Sequence, residues 1–85
     1  MNINANYNLR QLPNSGYVLE SISGGKLIVL NKTAAYIWML IKSGSSTIEQ
    51  LQKEIMDKYQ VDSKKAYEDL VLTTTHWLSI GIINP

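Results

Sequence analysis

Three short strand-like runs followed by three capped, amphipathic stretches predict an α+β domain, a three-stranded antiparallel sheet followed by three helices. Three observations carry the prediction. Residues 2–9 alternate polar and apolar with a period of two, Ser23-Gly24-Gly25 has the length and composition of a hairpin connection, and polar cap residues precede each helical stretch while glycines close two of them.

The alternation Asn2-Ile3-Asn4-Ala5-Asn6-Tyr7-Asn8-Leu9 places Ile3, Ala5, Tyr7 and Leu9 on one face of a first strand, the pattern outweighing the poor strand propensity of asparagine. Pro13-Asn14-Ser15-Gly16 is a turn. Tyr17 to Ile22 and Lys26 to Leu30 form a hairpin, which makes the sheet a meander. The last run, Leu27-Ile28-Val29-Leu30, is apolar on both faces where a half-solvated sheet should alternate, so cover is expected on both sides.

Asn31 caps a first helix with Ala34, Ile37, Trp38 and Ile41 on one side, and Gly44 stops it. Ser46 and Glu49 fit a capping box for a second helix, striped by Ile48, Leu51, Ile55 and Tyr59. Asp62 caps a third. Its Ala66, Leu70, Thr73 and Trp77 line one face and Tyr67, Val71, Thr74 and Leu78 an adjacent one, an apolar arc wider than one contact requires. Gly81 ends this helix, Ile82 can fold back on Trp77, and residues 82–85 read as a short tail.

The 85 residues have no internal repeat or linker and read as a single domain over residues 1–85 with room for one core. Eight Lys or Arg against seven Asp or Glu leave a formal charge of +1, without the electrostatic footprint of a nucleic-acid binder. The absence of cysteine excludes disulfides and thiolate chemistry and fits a reducing cytoplasm. No apolar run reaches the length of a membrane span, and the N-terminus lacks a signal-peptide layout, so a soluble cytoplasmic protein is expected.

Nothing in the chain assembles into a catalytic motif. His76 is a lone imidazole on a helix, Glu54 with Asp57 and Glu68 with Asp69 read as solvated surface, and Gly24-Gly25 lacks the rest of a phosphate loop. Trp38 and Trp77 sit within apolar stripes and belong to the core. The run Thr73-Thr74-Thr75 is unfavourable inside a helix. Either tertiary packing overrides propensity there, or Thr74 and Thr75 line a groove that must admit another chain.

The strand and helix order, the junction Leu30-Asn31-Lys32-Thr33-Ala34-Ala35 leading to Ile37-Trp38, the Gly44 stop, Ile48 with Leu51, Tyr59, Asp69 and the closing Gly81-Ile82 together resemble the PqqD family over about residues 17–83. The resemblance implies a winged helix-turn-helix-like fold, the RiPP recognition element. It further implies a binding module, not an enzyme, that needs no cofactor or metal and presents the leader segment of a ribosomally made precursor peptide to modifying enzymes. In the family the leader adds as a strand beside the third strand, in the groove between that strand and the third helix. Carried over, this points to Leu27, Ile28, Val29 and Leu30 on the strand and to Tyr67, Leu70, Val71, Thr74 and Leu78 on the helix.

A meander leaves its last strand with unpaired backbone groups, the physical requirement for strand addition. Residues 1–16 and Tyr17-Val18-Leu19-Glu20 lack the features of pyrroloquinoline quinone pathway members. The chain looks more like the stand-alone recognition proteins of lasso-peptide clusters, whose partner is a leader peptidase. The threonine run replaces bulkier residues usual in the family's third helix, which implies a wider or more polar groove.

Two rivals follow from the same elements. A winged helix-turn-helix DNA-binding protein would insert the third helix into the major groove, but Glu68 and Asp69 follow Lys64 and Lys65 there and repel phosphate. A homodimer would pair two copies of the same edge strand.

Overall fold

The computed structural model describes residues 1–44 and 47–85. Its elements are β1 (Asn2–Ile3), β2 (Tyr7–Gln11), β3 (Tyr17–Ser21), β4 (Leu27–Leu30), α1 (Lys32–Lys42), α2 (Ile48–Tyr59), α3 (Ser63–Ile80) and β5 (Ile83–Asn84). The expected α+β architecture is present: β2, β3 and β4 form an antiparallel sheet in that order, and three helices follow.

The long first strand expected from alternation is two strands. Asn4 breaks it, because its side-chain oxygen accepts from the Asn6 N–H (2.9 Å) and its carbonyl accepts from the Tyr7 N–H (3.2 Å). An asparagine that closes a turn on its own backbone overrides the period-two pattern. Asn4 also joins the chain ends, since its amide donates to the Gly81 carbonyl (2.9 Å) and its backbone N–H to the Ile82 carbonyl (2.9 Å). Residues 83–84 are therefore not a tail. They are β5, paired antiparallel with β1, and Ile83 is buried.

Helix ends follow local chemistry. Asn31 Oδ1 accepts from the Ala34 N–H at 2.8 Å, and Asp62 Oδ1 from the Lys65 N–H at 2.8 Å. Gly44 takes a φ of +113°, as a stop residue should. Ser46 lies outside the described residues, and the capping box sits one position later: Thr47 Oγ1 accepts from the Gln50 N–H, and Gln50 Oε1 from the Thr47 N–H. Both spacings satisfy the same Ser/Thr-x-x-Glu/Gln rule, so sequence could not separate them. At Gly81, φ +81°, the Gly81 N–H donates to Leu78 and the Ile82 N–H to Trp77, which closes α3 and turns Ile82 inward.

One core joins the layers. Leu19 and Leu30 from the sheet meet Ile37, Trp38 and Ile41 of α1, Leu51 and Ile55 of α2, and Ala66, Leu70 and Trp77 of α3, with Ile82 and Ile83 closing the cluster. Trp38, 1% exposed, stands edge-on to Trp77 with ring centroids 5.9 Å apart. The Trp38 indole N–H is buried with no hydrogen-bond partner among the described residues.

Candidate functional site

Backbone bonding decides which strand edge is available. The Ser21 N–H donates to the Lys26 carbonyl, which makes that facing pair the hydrogen-bonded kind. Alternation along the register then assigns Leu19–Ile28 and Tyr17–Leu30 to bonded pairs, and Glu20–Leu27 and Val18–Val29 to non-bonded pairs. The backbone N–H and C=O groups of Leu27 and Val29 consequently point away from β3. β4 has no second strand partner among the described residues.

Side chains alternate on the same strand. Ile28 and Leu30 turn toward the helices, whereas Leu27 and Val29 are 66% and 78% exposed on the outer face. The expectation that both faces of this strand would be covered is thus met on one face only.

Beside β4 lies a groove whose other wall is α3. One part, about 350 Å³, is lined by Ile28 to Asn31, Ala34, Leu72, Thr73, His76 and Trp77. A second part, about 330 Å³, continues past the shared Ile28 to Lys26, Leu27, Tyr7 and Ile80. Leu72, His76 and Ile80 recur every four residues, so one stripe of α3, about 12 Å long at 1.5 Å per residue, forms the helical wall. A larger hollow of about 570 Å³ follows the β3–β4 turn and touches neither α3 nor the outward groups of Val29.

The strand residues expected at the site, Leu27, Ile28, Val29 and Leu30, all line this groove. The helical residues do not. Leu70 is fully buried, and Thr74 is buried with its hydroxyl donating to the Leu70 carbonyl at 2.8 Å, so both are core. Tyr67, Val71 and Leu78 fall on the other flank of the core stripe, away from β4, as about 3.6 residues per turn requires. Thr75 is exposed and also lies outside the groove, leaving Thr73 as the threonine of that run that lines it.

Sequence reasoning missed Leu72, Thr73, His76 and Ile80 as groove residues. Thr73 stood on the correct face, next to Trp77. The remaining signal was Leu72, an aliphatic residue that belongs to neither apolar face read from the spacing and is 75% exposed. As a lone imidazole His76 is a poor candidate for catalysis, which does not bear on its place in the groove wall.

Electrostatically the groove is one-sided. Lys26 and His76 line it, and no carboxylate does. The displaced titrations lie elsewhere. A hydrogen bond to Asp69, aided by its charge, raises Lys65, while burial and then Glu54 raise the Tyr36 phenol. No group of His, Asp and Glu residues among the described residues could hold a metal ion. No helix among them is long and apolar enough to cross a membrane.

Two solved structures share the fold. TbiB1 in complex with the TbiA(beta) leader peptide matches with a TM-score of 0.82 at 20% identity, over 99% of this chain and 95% of that one. Lasso peptide synthetase B1 complexed with the leader peptide matches with a TM-score of 0.78 at 23% identity, over 98% of this chain and 95% of that one. No curated protein shows detectable similarity to the chain. The family profile described as Coenzyme PQQ synthesis protein D matches residues 16–83, from β3 through the three helices to the start of β5, and the chain therefore belongs to the PqqD family.

Proposed function

We propose that this protein binds the leader segment of a ribosomally synthesised precursor peptide by strand addition to β4 and delivers it to modifying enzymes, a leader peptidase and cyclase of a lasso-peptide pathway. It acts as a binding module and not as an enzyme. The observation that carries the reading is the pair of outward-facing backbone units at Leu27 and Val29, set beside a groove with apolar walls. Family membership and two structural neighbours captured with leader peptides support the same reading.

The mechanism follows from geometry. A guest in extended conformation exchanges main-chain hydrogen bonds with Leu27 and Val29, which fixes its register without regard to its sequence. Alternate guest side chains then enter the groove against Ile28, Leu72, Thr73, His76 and Trp77, where selectivity arises. The intervening ones lie outward, next to exposed Leu27 and Val29. The delivered peptide keeps the segment beyond the groove free for the enzymes.

Selection from a library of displayed random dodecapeptides, followed by amide shift mapping of a selected peptide, tests this. Shifts concentrated on β4 and on Leu72 to Ile80 are expected. Failure to select any peptide, or shifts confined to the Tyr67, Val71 and Leu78 flank, contradicts the proposal.

A further inference from the structure

We infer that the groove between β4 and α3 selects a peptide carrying carboxylates in the stretch that crosses it, with His76 and Lys26 as specificity-determining residues. The inference rests on the strand-addition reading and adds the chemistry of the guest.

The groove's ionisable side chains are Lys26, His76 and Tyr7, with neither aspartate nor glutamate among its lining residues. The acids nearest in sequence are already engaged. Glu20 pairs with Arg10 on the outer face of the sheet, and Asp69, two turns before His76 on α3, pairs with Lys65 at 3.0 Å. Lys26 forms no ion pair among the described residues, and the His76 imidazole makes no hydrogen bond among them. Thr73, one turn before His76, also lines the groove, and its hydroxyl makes no hydrogen bond among the described residues. His76 shares the groove with Ile28 to Leu30 from β4, the Asn31 cap and Ala34 of α1, and Leu72, Thr73 and Trp77 from its own helix, none of which is charged. The charge that complements it must come from the guest.

Position supports the same conclusion. Lys26 stands at the start of β4, and His76 belongs to the α3 stripe opposite Ile28 to Leu30, so one extended guest passes both. Each contact is solvent-accessible and is therefore worth about a two- to fivefold change in affinity. Together with Thr73 they discriminate among guests that the backbone of β4 would accept alike.

The test uses the same dodecapeptide selection at pH 6 and low salt, then synthetic copies of one selected peptide with each Asp or Glu changed to Asn or Gln. Expected are enrichment of acidic residues and a loss of about two- to fivefold per neutralised carboxylate. His76→Gln and Lys26→Gln should each weaken the acidic peptide by about two- to fivefold and leave its neutralised copy unchanged. Peptides that bind β4 and yet lack carboxylates, with equal affinity for wild type, His76→Gln and Lys26→Gln, overturn this inference alone. Absence of any selected peptide removes the strand-addition reading and this inference together.

Discussion

β2 and β4 are the two outer strands of one sheet, yet they meet solvent differently. Hydrogen bonds Ile22 N–H to Asn6 and Leu12 N–H to Gly16 fix the β2–β3 pairing, so Leu9 and Gln11 carry outward backbone groups just as Leu27 and Val29 do. The side chains diverge. β2 exposes Asn8, Arg10 and Gln11, with Arg10 paired to Glu20, whereas β4 is Leu-Ile-Val-Leu with its outward residues largely bare. Charge on an edge strand discourages pairing with another chain, and a bare aliphatic edge invites it. One edge of this sheet is defended and the other is open, and the groove lies beside the open one.

The largest effect erases the comparison. Trp38→Ala should cost about 3 to 5 kcal/mol, because it empties the centre of the core that supports both edges. Urea denaturation followed by tryptophan fluorescence measures it. Wild-type stability in the variant would place Trp38 outside the core.

Proline separates the two edges. Val29→Pro removes an outward donor without breaking a β3–β4 bond, and peptide affinity should fall about three- to tenfold for one lost hydrogen bond. Gln11→Pro makes the equivalent change on β2 and should leave affinity within twofold of wild type, on the order of experimental scatter. Equal losses in the two variants, both shown folded by circular dichroism, would remove the distinction between the edges.

The flanks of α3 sharpen the comparison further. Leu72→Glu on the exposed groove wall should keep the fold and weaken an acidic guest, whereas Val71→Glu, on the other flank, should change affinity only as far as it changes stability. Calorimetric titration of both variants decides which flank the guest meets.

A smaller effect is expected where the chain ends meet. Asn4→Ala removes the side-chain bonds to Gly81 and Asn6 and should cost about 1 to 2 kcal/mol, seen as a lower urea midpoint with unchanged peptide affinity. A variant as stable as wild type would show that backbone pairing of β1 with β5 suffices.

Much of this was legible in the sequence because it is locally encoded. Asn31 and Asp62 cap their helices, Gly44 and Gly81 stop theirs, and the Leu27 to Leu30 edge announces itself by being apolar at every position. What was not legible depends on partners distant in the chain. Asn4 reads as one more residue of an alternating strand until Gly81 and Ile82 arrive beside it, 77 residues away for the side-chain bond. The flank of α3 that lines the groove was hidden for a similar reason. A wide apolar arc has two flanks, and which of them faces β4 is set by how helix and sheet pack, so Tyr67, Val71 and Leu78 were as plausible by spacing as Leu72, His76 and Ile80.

Residue-resolved amide hydrogen exchange, with and without a selected peptide, tests the open edge most directly. In the free protein the Ile28 and Leu30 amides should exchange slowly and those of Leu27 and Val29 fast, and peptide should slow Leu27 and Val29 while leaving Leu9 and Gln11 unchanged. Slowing at Leu9 and Gln11 instead, or at none of the four, would contradict strand addition at β4.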